Sequence, residues 1–329
     1  MHVRRSRSAV KVLAPAKLNL FLEVQSRRAD GFHEIESLMV PVALWDSFTF
    51  EAASTEQISL NCQWGCPALV RAPSIARSAA DSVTCSTLGA FGDGLPPESK
   101  NLVVLAVRLL QSQASHPSGA RPVGARLQLI KRIPLAAGLG GGSSDAAAAL
   151  VAANLGWGLG WSHDQLAVLA AELGSDVPFF LSRGFSGAGP AICRGRGERV
   201  ESLAPRGVLH CVVAKPPQGL STAEVYAACR PAAASHPSLA ALVDALRRGR
   251  TSRAGKLLYN GLQPAAESRS PWIARLREEF SRLNFLGHQM SGSGTSYFGL
   301  CQHARHARQL AARLRQRGIG WAFAVAASC

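Results

Sequence analysis

The chain has 329 residues, of which 47% are hydrophobic and 17% are charged. A chain of this length and composition can bury a large core and is typical of a globular protein with two lobes. Its formal net charge of +15 raises the question of nucleic-acid binding. However, the arginines are scattered over predicted helical faces, and only 6% of the residues are aromatic. Specific nucleic-acid binding is therefore not expected.

The cysteines indicate a reducing compartment. Cys62, Cys66 and Cys85 could be imagined as zinc ligands, but their spacing is poor and no histidine stands nearby. Free thiols in a reducing cytosol account for them better. The sequence has no apolar run of membrane length and no signal-peptide pattern. We therefore expect a cytoplasmic protein that does not associate with membranes.

The first predicted strand carries two polar side chains on one face. Aliphatic residues at every second position from Leu18 to Val24 predict a half-buried strand. Lys17 and Asn19 share the opposite face. They could reach a cleft, although their spacing alone favours solvated strand residues. The basic residues at positions 4, 5 and 7 predict a flexible N-terminal tail.

A turn and a strand pair follow. Asp30 and the glycine after it predict a turn. Phe32 and His33 come directly after this turn and could stack on and hydrogen-bond to a base, or simply pack within the loop. Residues 35–50 predict a strand, a turn and a second strand. Residues 61–100 keep no hydrophobic period and predict an insertion or a flap.

A glycine-rich loop follows a helix predicted at residues 101–113 and a strand predicted at residues 125–130. Four glycines lie within the five positions from Gly138 to Gly142. Glycine permits positive φ and lets the backbone approach a ligand closely. The spacing matches neither a Walker A loop, which needs Gly-Lys-Ser/Thr after the glycines, nor the dinucleotide-binding fingerprint.

The residues after the glycines predict a capped helix. Ser143, Ser144 and Asp145 are of the types that accept hydrogen bonds from free N–H groups at a helix start. The alanine-rich residues 146–155 favour a helix. A glycine loop that leads into a helix N-terminus suits a phosphate chain. A flexible linker is the alternative, and the strand before the loop and the helix behind it speak against that alternative.

A carboxylate is predicted on a sharp turn further along the chain. Residues 163–174 predict a short helix that stops at Gly174, with Pro178 beyond it. Asp176 lies between these stop signals, where a carboxylate can be held rigidly, although aspartate is also simply common in turns. We place the boundary between the lobes after residue 197.

The second half of the chain predicts a further set of strands and helices. A helix begins near Thr222, with Ser221 or Thr222 as its cap. Strands are predicted at residues 208–214, 286–290, 297–300 and 321–326, and helices at residues 239–247, 271–280 and 302–318. Small residues at 291–296 join two of these strands. They predict a hairpin turn that could also approach a ligand.

Three segments together resemble a known family. Residues 14–20 (Ala-Pro-Ala-Lys-Leu-Asn-Leu), 134–144 and 290–296 resemble the three motifs of the GHMP kinases in their usual order. Residues 28–35 (Arg-Ala-Asp-Gly-Phe-His-Glu-Ile) and 174–180 (Gly-Ser-Asp-Val-Pro-Phe-Phe) resemble more specifically the branch that acts in the non-mevalonate isoprenoid pathway. Agreement of five ordered segments by chance is very improbable.

The resemblance implies an α+β fold of two lobes. An N-terminal lobe over residues 1–197, similar to domain 2 of ribosomal protein S5, would bind ATP. A ferredoxin-like C-terminal lobe would occupy residues 198–329, with the active site in the cleft between the lobes. Residues 61–100 are longer than the connection usual in the family, which supports an insertion.

The resemblance also implies a phosphoryl transfer from ATP to an alcohol. Asp176 would act as general base and Lys17 would stand beside it. An ammonium group next to a carboxylate favours the ionised carboxylate and can stabilise charge on the attacking oxygen. Mg²⁺ would bridge the phosphates, with the Ser144 hydroxyl as one ligand. The ATP phosphates would lie on Pro134, Leu135, Ala136, Ala137, Gly138, Leu139, Gly140, Gly141, Gly142, Ser143 and Ser144.

The implied acceptor is a small molecule that carries a diphosphocytidyl group, phosphorylated at its C2 hydroxyl. Asn19 and His33 would hold the diphosphocytidyl end, with cytosine stacked between Phe32 and Tyr226 and with Thr222 nearby. The family commonly has tyrosine where this chain has Phe32; stacking survives that change, while any contact from the hydroxyl is lost. The enzyme is expected to be a monomer or a homodimer.

Two alternatives remain open. A homoserine or mevalonate type of GHMP kinase would keep the ATP loop and change the acceptor, but residues 28–33 next to Lys17 speak against it. A basic nucleic-acid-binding protein on a similar fold would need no pairing of Lys17 with Asp176.

Overall fold

Two long antiparallel strands form the centre of the fold, which we describe from a computed structural model. The structure describes residues 1–65, 94–114, 123–182, 188–204, 206–230 and 236–329. Strands β2 (Val10–Arg27) and β3 (His33–Ala52) pair along almost their full length. Both are largely buried, since the structure packs other elements over their two faces.

The N-terminal half adds strands and helices around this pair. Strands β1 (His2–Arg5) and β5 (Ala125–Lys131) pair antiparallel with β2 and β3, and β4 (Ile58–Trp64) pairs parallel with β5. Strand β6 (Ala191–Gly195) joins the far end of β3 and pairs with β7 (Arg199–Ser202). The helices of this half are α1 (Leu102–Gln113), α2 (Gly141–Trp157) and α3 (His163–Leu173).

The C-terminal half has the ferredoxin-like order of strands. Strands β8 (Val208–Lys215), β10 (Gly287–Met290), β11 (Tyr297–Cys301) and β12 (Trp321–Ser328) lie in the antiparallel order β12-β8-β11-β10. Strand β12 also pairs with β3, which makes the sheet continuous between the halves. The remaining elements are the short strand β9 (Tyr259–Asn260) and the helices α4 (Thr222–Ala228), α5 (Leu239–Arg247), α6 (Thr251–Lys256), α7 (Gln263–Arg269), α8 (Pro271–Ser281) and α9 (Ala304–Gln316).

Most predicted elements are confirmed, and the α+β class with them. The turn predicted inside residues 35–50 is wrong, because β3 continues through it. A register shift lets Trp45 pair with Pro15 while Val42 pairs with Ala16, so a bulge absorbs the extra residues. The predicted N-terminal tail is also wrong for residues 2–5, which pair with β2.

The predicted insertion at residues 61–100 is only partly described. Residues 61–64 end β4, and Glu98–Lys100 form a short 3₁₀ helix, so these parts are regular. Residues 66–93 lie outside the described part of the chain. Strand β9 and helices α6 and α7 were not predicted, because they are short and lack a full hydrophobic period.

Candidate active site

The polar face of β2 is buried. Lys17 is 3% exposed and Asn19 is fully buried, so the interpretation of both as solvated strand residues is wrong. The Lys17 ammonium donates to Asn19 Oδ1 at 2.5 Å, and the Asn19 amide donates to Ser37 Oγ at 2.8 Å. Ser37 Oγ in turn donates to the carbonyl of Phe21 at 2.7 Å. This series of hydrogen bonds orients the amide of Asn19 so that its oxygen faces the lysine.

Asp176 meets Lys17 across the fold. Asp176 Oδ2 lies 3.4 Å from Lys17 Nζ. The aspartate occupies the turn between α3 and the 3₁₀ helix Pro178–Leu181, and the N–H of Val177 closes this turn on the carbonyl of Gly174 at 3.1 Å. The lysine side chain is 4% exposed and that of Asp176 is 29% exposed. The carboxylate is thus fixed against a buried cation on one side and open to a ligand on the other.

The glycine-rich loop lies directly on Lys17. The carbonyl of Leu139 accepts a hydrogen bond from the Lys17 N–H at 2.9 Å. Gly140 caps α2 with a left-handed φ of 69°, and a Cβ at this position would come within 2.9 Å of Lys17 Cγ. The loop also has positive φ at Ala136 and Gly138. The free N–H groups at the start of α2 are therefore placed beside the Lys17–Asp176 pair.

The helix behind the loop begins earlier than predicted. Helix α2 starts at Gly141, so Ser143, Ser144 and Asp145 lie inside the helix, and none of these side chains caps it. The predicted cap is therefore wrong, because the left-handed glycine performs that role. Ser144 is fully buried, and its hydroxyl has no hydrogen-bond partner among the described residues.

The small-residue turn at 291–296 completes the site. Ser291 Oγ donates to the carbonyl of Gly138 at 3.1 Å and accepts from the Asn19 N–H at 3.3 Å. The N–H of Ser296 donates to the carbonyl of Ala137 at 3.0 Å. The three segments that resemble family motifs thus meet at one place. The turn contacts the glycine loop. A simple hairpin between two strands would not have needed this contact.

Substitution of Gly138 by alanine is expected to impair ATP use. Gly138 has a φ of 71°, and a Cβ there would lie 2.2 Å from the carbonyl oxygen of Ser291. The loop or the turn must move, so we expect the KM for ATP to rise by about tenfold or more, since displacement of binding groups by about 1 Å is costly. Steady-state kinetics with varied ATP measure this effect.

Gly160→Ala is the matched control. Gly160 has a φ of 69°, and no atom of the described part of the chain lies within 4 Å of a Cβ built there. This variant bears only the backbone strain of about 1 kcal/mol and should leave the KM for ATP unchanged. Equal kinetic effects from both substitutions would contradict the expectation.

The structure brings together only some of the residues that were predicted to bind the cytosine ring. The rings of His33 and Tyr226 lie 5.2 Å apart, and burial together with the nearby Asp176 carboxylate raises the pKa of Tyr226. Thr222 Oγ1 lies 2.9 Å from Ser293 Oγ, on the small-residue turn. Phe32 is 48% exposed, and its ring contacts the guanidinium of Arg196 at 4.8 Å. Among the described residues its ring has no contact with Tyr226.

A buried ion cluster beneath the loop was not predicted from the sequence. Lys131 donates to the carboxylates of Asp46 and Asp145, at 2.6 Å in the case of Asp145. Asp46 also accepts from the N–H groups of Arg132 and Ile133, the latter at 2.9 Å. Burial raises the pKa of Asp145, while the two carboxylates raise the pKa of Lys131 against the opposing effect of burial. The only sequence signals were an acidic residue in a strand and a lysine before the loop.

The fold and the meeting of these three segments define a GHMP kinase. The family model for the GHMP kinase N-terminal domain matches residues 101–184, and the model for the C-terminal domain matches residues 242–320. The α+β fold predicted from the resemblance is thereby confirmed. A crystal structure of homoserine kinase from Cytophaga hutchinsonii superposes with a TM-score of 0.67 at 18% identity, over 100% of this chain and 97% of the other, which supports the fold alone.

More specific similarity comes from full-length relatives. The 4-diphosphocytidyl-2-C-methyl-D-erythritol kinase of Pelotomaculum thermopropionicum is 40% identical over 93% of this chain and 94% of its own length. The enzyme of the same name from Shouchella clausii is 35% identical over 88% and 85%. A crystal structure of 4-(cytidine 5'-diphospho)-2C-methyl-D-erythritol kinase superposes with a TM-score of 0.72 at 33% identity, over 97% and 99%. The chain belongs to the 4-diphosphocytidyl-2-C-methyl-D-erythritol kinase family.

Two further features have no candidate among the described residues. No helix there is long and apolar enough to cross a membrane. No group of three or more histidine, cysteine, aspartate or glutamate side chains in the same residues is arranged to hold a metal ion.

Proposed function

We propose that this chain transfers the γ-phosphoryl group of ATP to the C2 hydroxyl of 4-diphosphocytidyl-2-C-methyl-D-erythritol. This reaction is a step of the non-mevalonate route to isoprenoid precursors, and it would take place in the cytoplasm. The observation that carries the proposal is the contact of 3.4 Å between Lys17 and Asp176 beside the glycine-rich loop. The names of the relatives described above supply the acceptor.

Asp176 acts as the general base in this proposal. A phosphoryl transfer needs the attacking oxygen to be positioned and its proton to be accepted. The half-open carboxylate of Asp176 can accept a hydrogen bond from the C2 hydroxyl and take its proton as the oxygen attacks the γ-phosphorus. The bond from the γ-phosphorus to the β,γ-bridging oxygen breaks, and ADP leaves.

Lys17 and Asn19 support this step without exchanging protons. The Lys17 ammonium is held between Asn19 Oδ1 and Asp176, so its charge is fixed where the attacking oxygen and the γ-phosphoryl oxygens become more negative. A preorganised charge in a partly buried site stabilises such a transition state without a reorganisation cost. The role of Asn19 is then to position the lysine.

The loop of residues 134–144 binds the phosphates of ATP. Its backbone N–H groups and the start of α2 favour negative charge. The buried, unpartnered hydroxyl of Ser144 fits a role as one ligand of Mg²⁺. When bound, this ion neutralises phosphate charge, while the residues of the chain position the reactants.

His33, Tyr226 and Thr222 hold the diphosphocytidyl end of the acceptor. The His33 and Tyr226 rings form one continuous surface, and Phe32 offers a second, exposed ring. Aromatic rings in such an arrangement can stack on a pyrimidine base. The proposal includes no nucleic-acid partner and fits a monomer or a homodimer.

A panel of acceptors tests this proposal. Release of ADP is measured with 4-diphosphocytidyl-2-C-methyl-D-erythritol, homoserine and mevalonate, each at the same ATP concentration. We expect turnover with the diphosphocytidyl compound and at most trace turnover with the others. Equal or higher kcat/KM for homoserine or mevalonate would overturn the assignment of the acceptor, and the absence of ADP release with every acceptor would overturn the kinase assignment.

A further inference from the structure

Arg196 lies at the edge of the site, and its guanidinium forms no ion pair within 4.0 Å among the residues that the structure describes. It occupies the turn between β6 and β7, where its N–H donates to Glu198 Oε2 at 2.6 Å. Its guanidinium lies 4.8 Å from the centre of the Phe32 ring, and Nη2 donates to the carbonyl of Ala171 at 3.3 Å. These contacts orient the side chain but use few of the five N–H donors of a guanidinium.

The same turn packs against the proposed general base. A Cβ built on Gly197 would lie 3.3 Å from the carbonyl oxygen of Ser175 and 3.6 Å from Asp176 Oδ1. Arg196 therefore connects two parts of the site. On one side its guanidinium contacts the exposed ring of Phe32. On the other side, the backbone of its neighbour Gly197 lies beside Asp176.

The arginines around it are engaged with carboxylates. Arg28 and Arg199 both pair with Glu34, and Arg194 pairs with Glu36 at 2.8 Å. In the part of the chain that the structure describes, no carboxylate lies within 4.0 Å of the Arg196 guanidinium nitrogens. Arg196 is thus the cation of this group that an incoming anion can engage without breaking an ion pair.

We propose that Arg196 is a substrate-binding residue that engages the diphosphate of the acceptor. The inference rests on the proposed function, because it uses the chemistry of that acceptor. The acceptor carries its base at one end and the reacting hydroxyl at the other, and the diphosphate joins them. When the base lies near Phe32 and His33 and the hydroxyl lies at Asp176, the diphosphate passes the turn that carries Arg196. A planar guanidinium suits two adjacent phosphate oxygens.

The test compares cytidine 5'-diphosphate with cytidine as probes. Calorimetric titrations are made on the full chain, with the ATP site saturated by adenylyl imidodiphosphate so that neither probe binds there. Arg196→Met removes the charge and keeps an apolar contact to Phe32. We expect it to raise the Kd of cytidine 5'-diphosphate by about tenfold or more, as the loss of a hydrogen bond to a charged group does, and to leave the Kd of cytidine unchanged. The Kd of cytidine 5'-diphosphate for Arg196→Lys should lie between the values for the unmodified chain and for Arg196→Met.

Kinetics give a second measurement of the same residue. The KM for the diphosphocytidyl acceptor should rise by about tenfold in Arg196→Met, with the KM for ATP unchanged. The matched control is Arg275→Met, because Arg275 lies 4.9 Å above the Trp272 ring in α8 and makes the same type of contact away from the site. Its kinetic constants should equal those of the unmodified chain.

Three results would overturn the inference. The first is an equal loss of affinity for both probes, because Arg196 would then only support the Phe32 ring. The second is tighter binding of cytidine in Arg196→Met, which would mean that the arginine covers the face that the base needs. The third is no change for either probe. A fourth result separates this inference from the proposed function. If the unmodified chain does not phosphorylate the acceptor, but Arg196→Met still binds cytidine 5'-diphosphate more weakly than the unmodified chain does, the proposed function fails and the diphosphate site remains.

Discussion

Replacement of Asp176 by asparagine is expected to lower kcat by about 10²- to 10⁴-fold, the range that a positioned general base contributes. The change preserves the shape of the side chain and removes its ability to accept the hydroxyl proton. Lys17 keeps its hydrogen bond to Asn19, so its position should be maintained. The measurement is ADP release at saturating ATP and acceptor, with the Tm of the variant recorded beside it.

The matched control is Asp164→Asn. Asp164 lies in the first turn of α3 with a fully exposed side chain, so the same chemical change there should leave kcat unaltered. The Tm of Asp176→Asn must be recorded, because the Lys17 side chain is only 4% exposed and loses its carboxylate partner in this variant. Near-normal turnover by folded Asp176→Asn would remove Asp176 from the role of base.

Local patterns predicted those parts of the site that depend on nearby residues. The four glycines within 138–142 indicated a loop with unusual φ, and the structure has left-handed residues there. Gly174 and Pro178 marked the end of α3 and placed Asp176 on a turn. These features follow from backbone sterics, which act over a few residues.

The contacts between distant segments could not be predicted in this way. Period two correctly placed Lys17 and Asn19 on one face of β2, but it could not tell whether that face meets solvent or a second layer. The contact between Lys17 and Asp176 depends on how β2 packs beside the turn after α3. Only the family resemblance indicated it, because no local period encodes a tertiary contact.

Asp46 is a second residue whose surroundings could not be predicted from local sequence. It lies within residues 35–50, where a turn was predicted between two strands, and aspartate is disfavoured within strands. In the structure it is fully buried inside β3, where Lys131 and two backbone N–H groups satisfy its oxygens. A buried charge of this kind is stable only when its partners are in place, and those partners come from a strand much later in the chain.

This ion cluster fixes both ends of the glycine-rich loop. Asp46 binds the N–H groups of Arg132 and Ile133, just before the loop, and Lys131 binds Asp145, just after it. The loop residues between these points are therefore held at entry and exit by one buried network. Such anchoring explains how a segment with several glycines, which loses much conformational entropy on folding, can be kept in one conformation.

Lys131→Met is accordingly expected to lower the free energy of unfolding by about 3–5 kcal/mol, the cost of leaving one side of a buried ion pair without its partner. Lys131 is 3% exposed and Asp46 is fully buried, so water cannot replace the lost ammonium. Chemical denaturation monitored by tryptophan fluorescence measures the change. The KM for ATP should rise in the fraction that remains folded, because the exit of the loop is released.

Two further variants separate the loss of the ion pair from the change in side-chain shape. Lys131→Met combined with Asp145→Asn should regain much of the lost stability, because the remaining carboxylate of Asp46 keeps its backbone donors while the second buried charge is gone. Lys11→Met, at an exposed position of β2, should change stability by less than about 0.5 kcal/mol. If the double variant were less stable than Lys131→Met alone, the carboxylate of Asp145 would have a stabilising partner other than Lys131, and the network would not be the anchor of the loop.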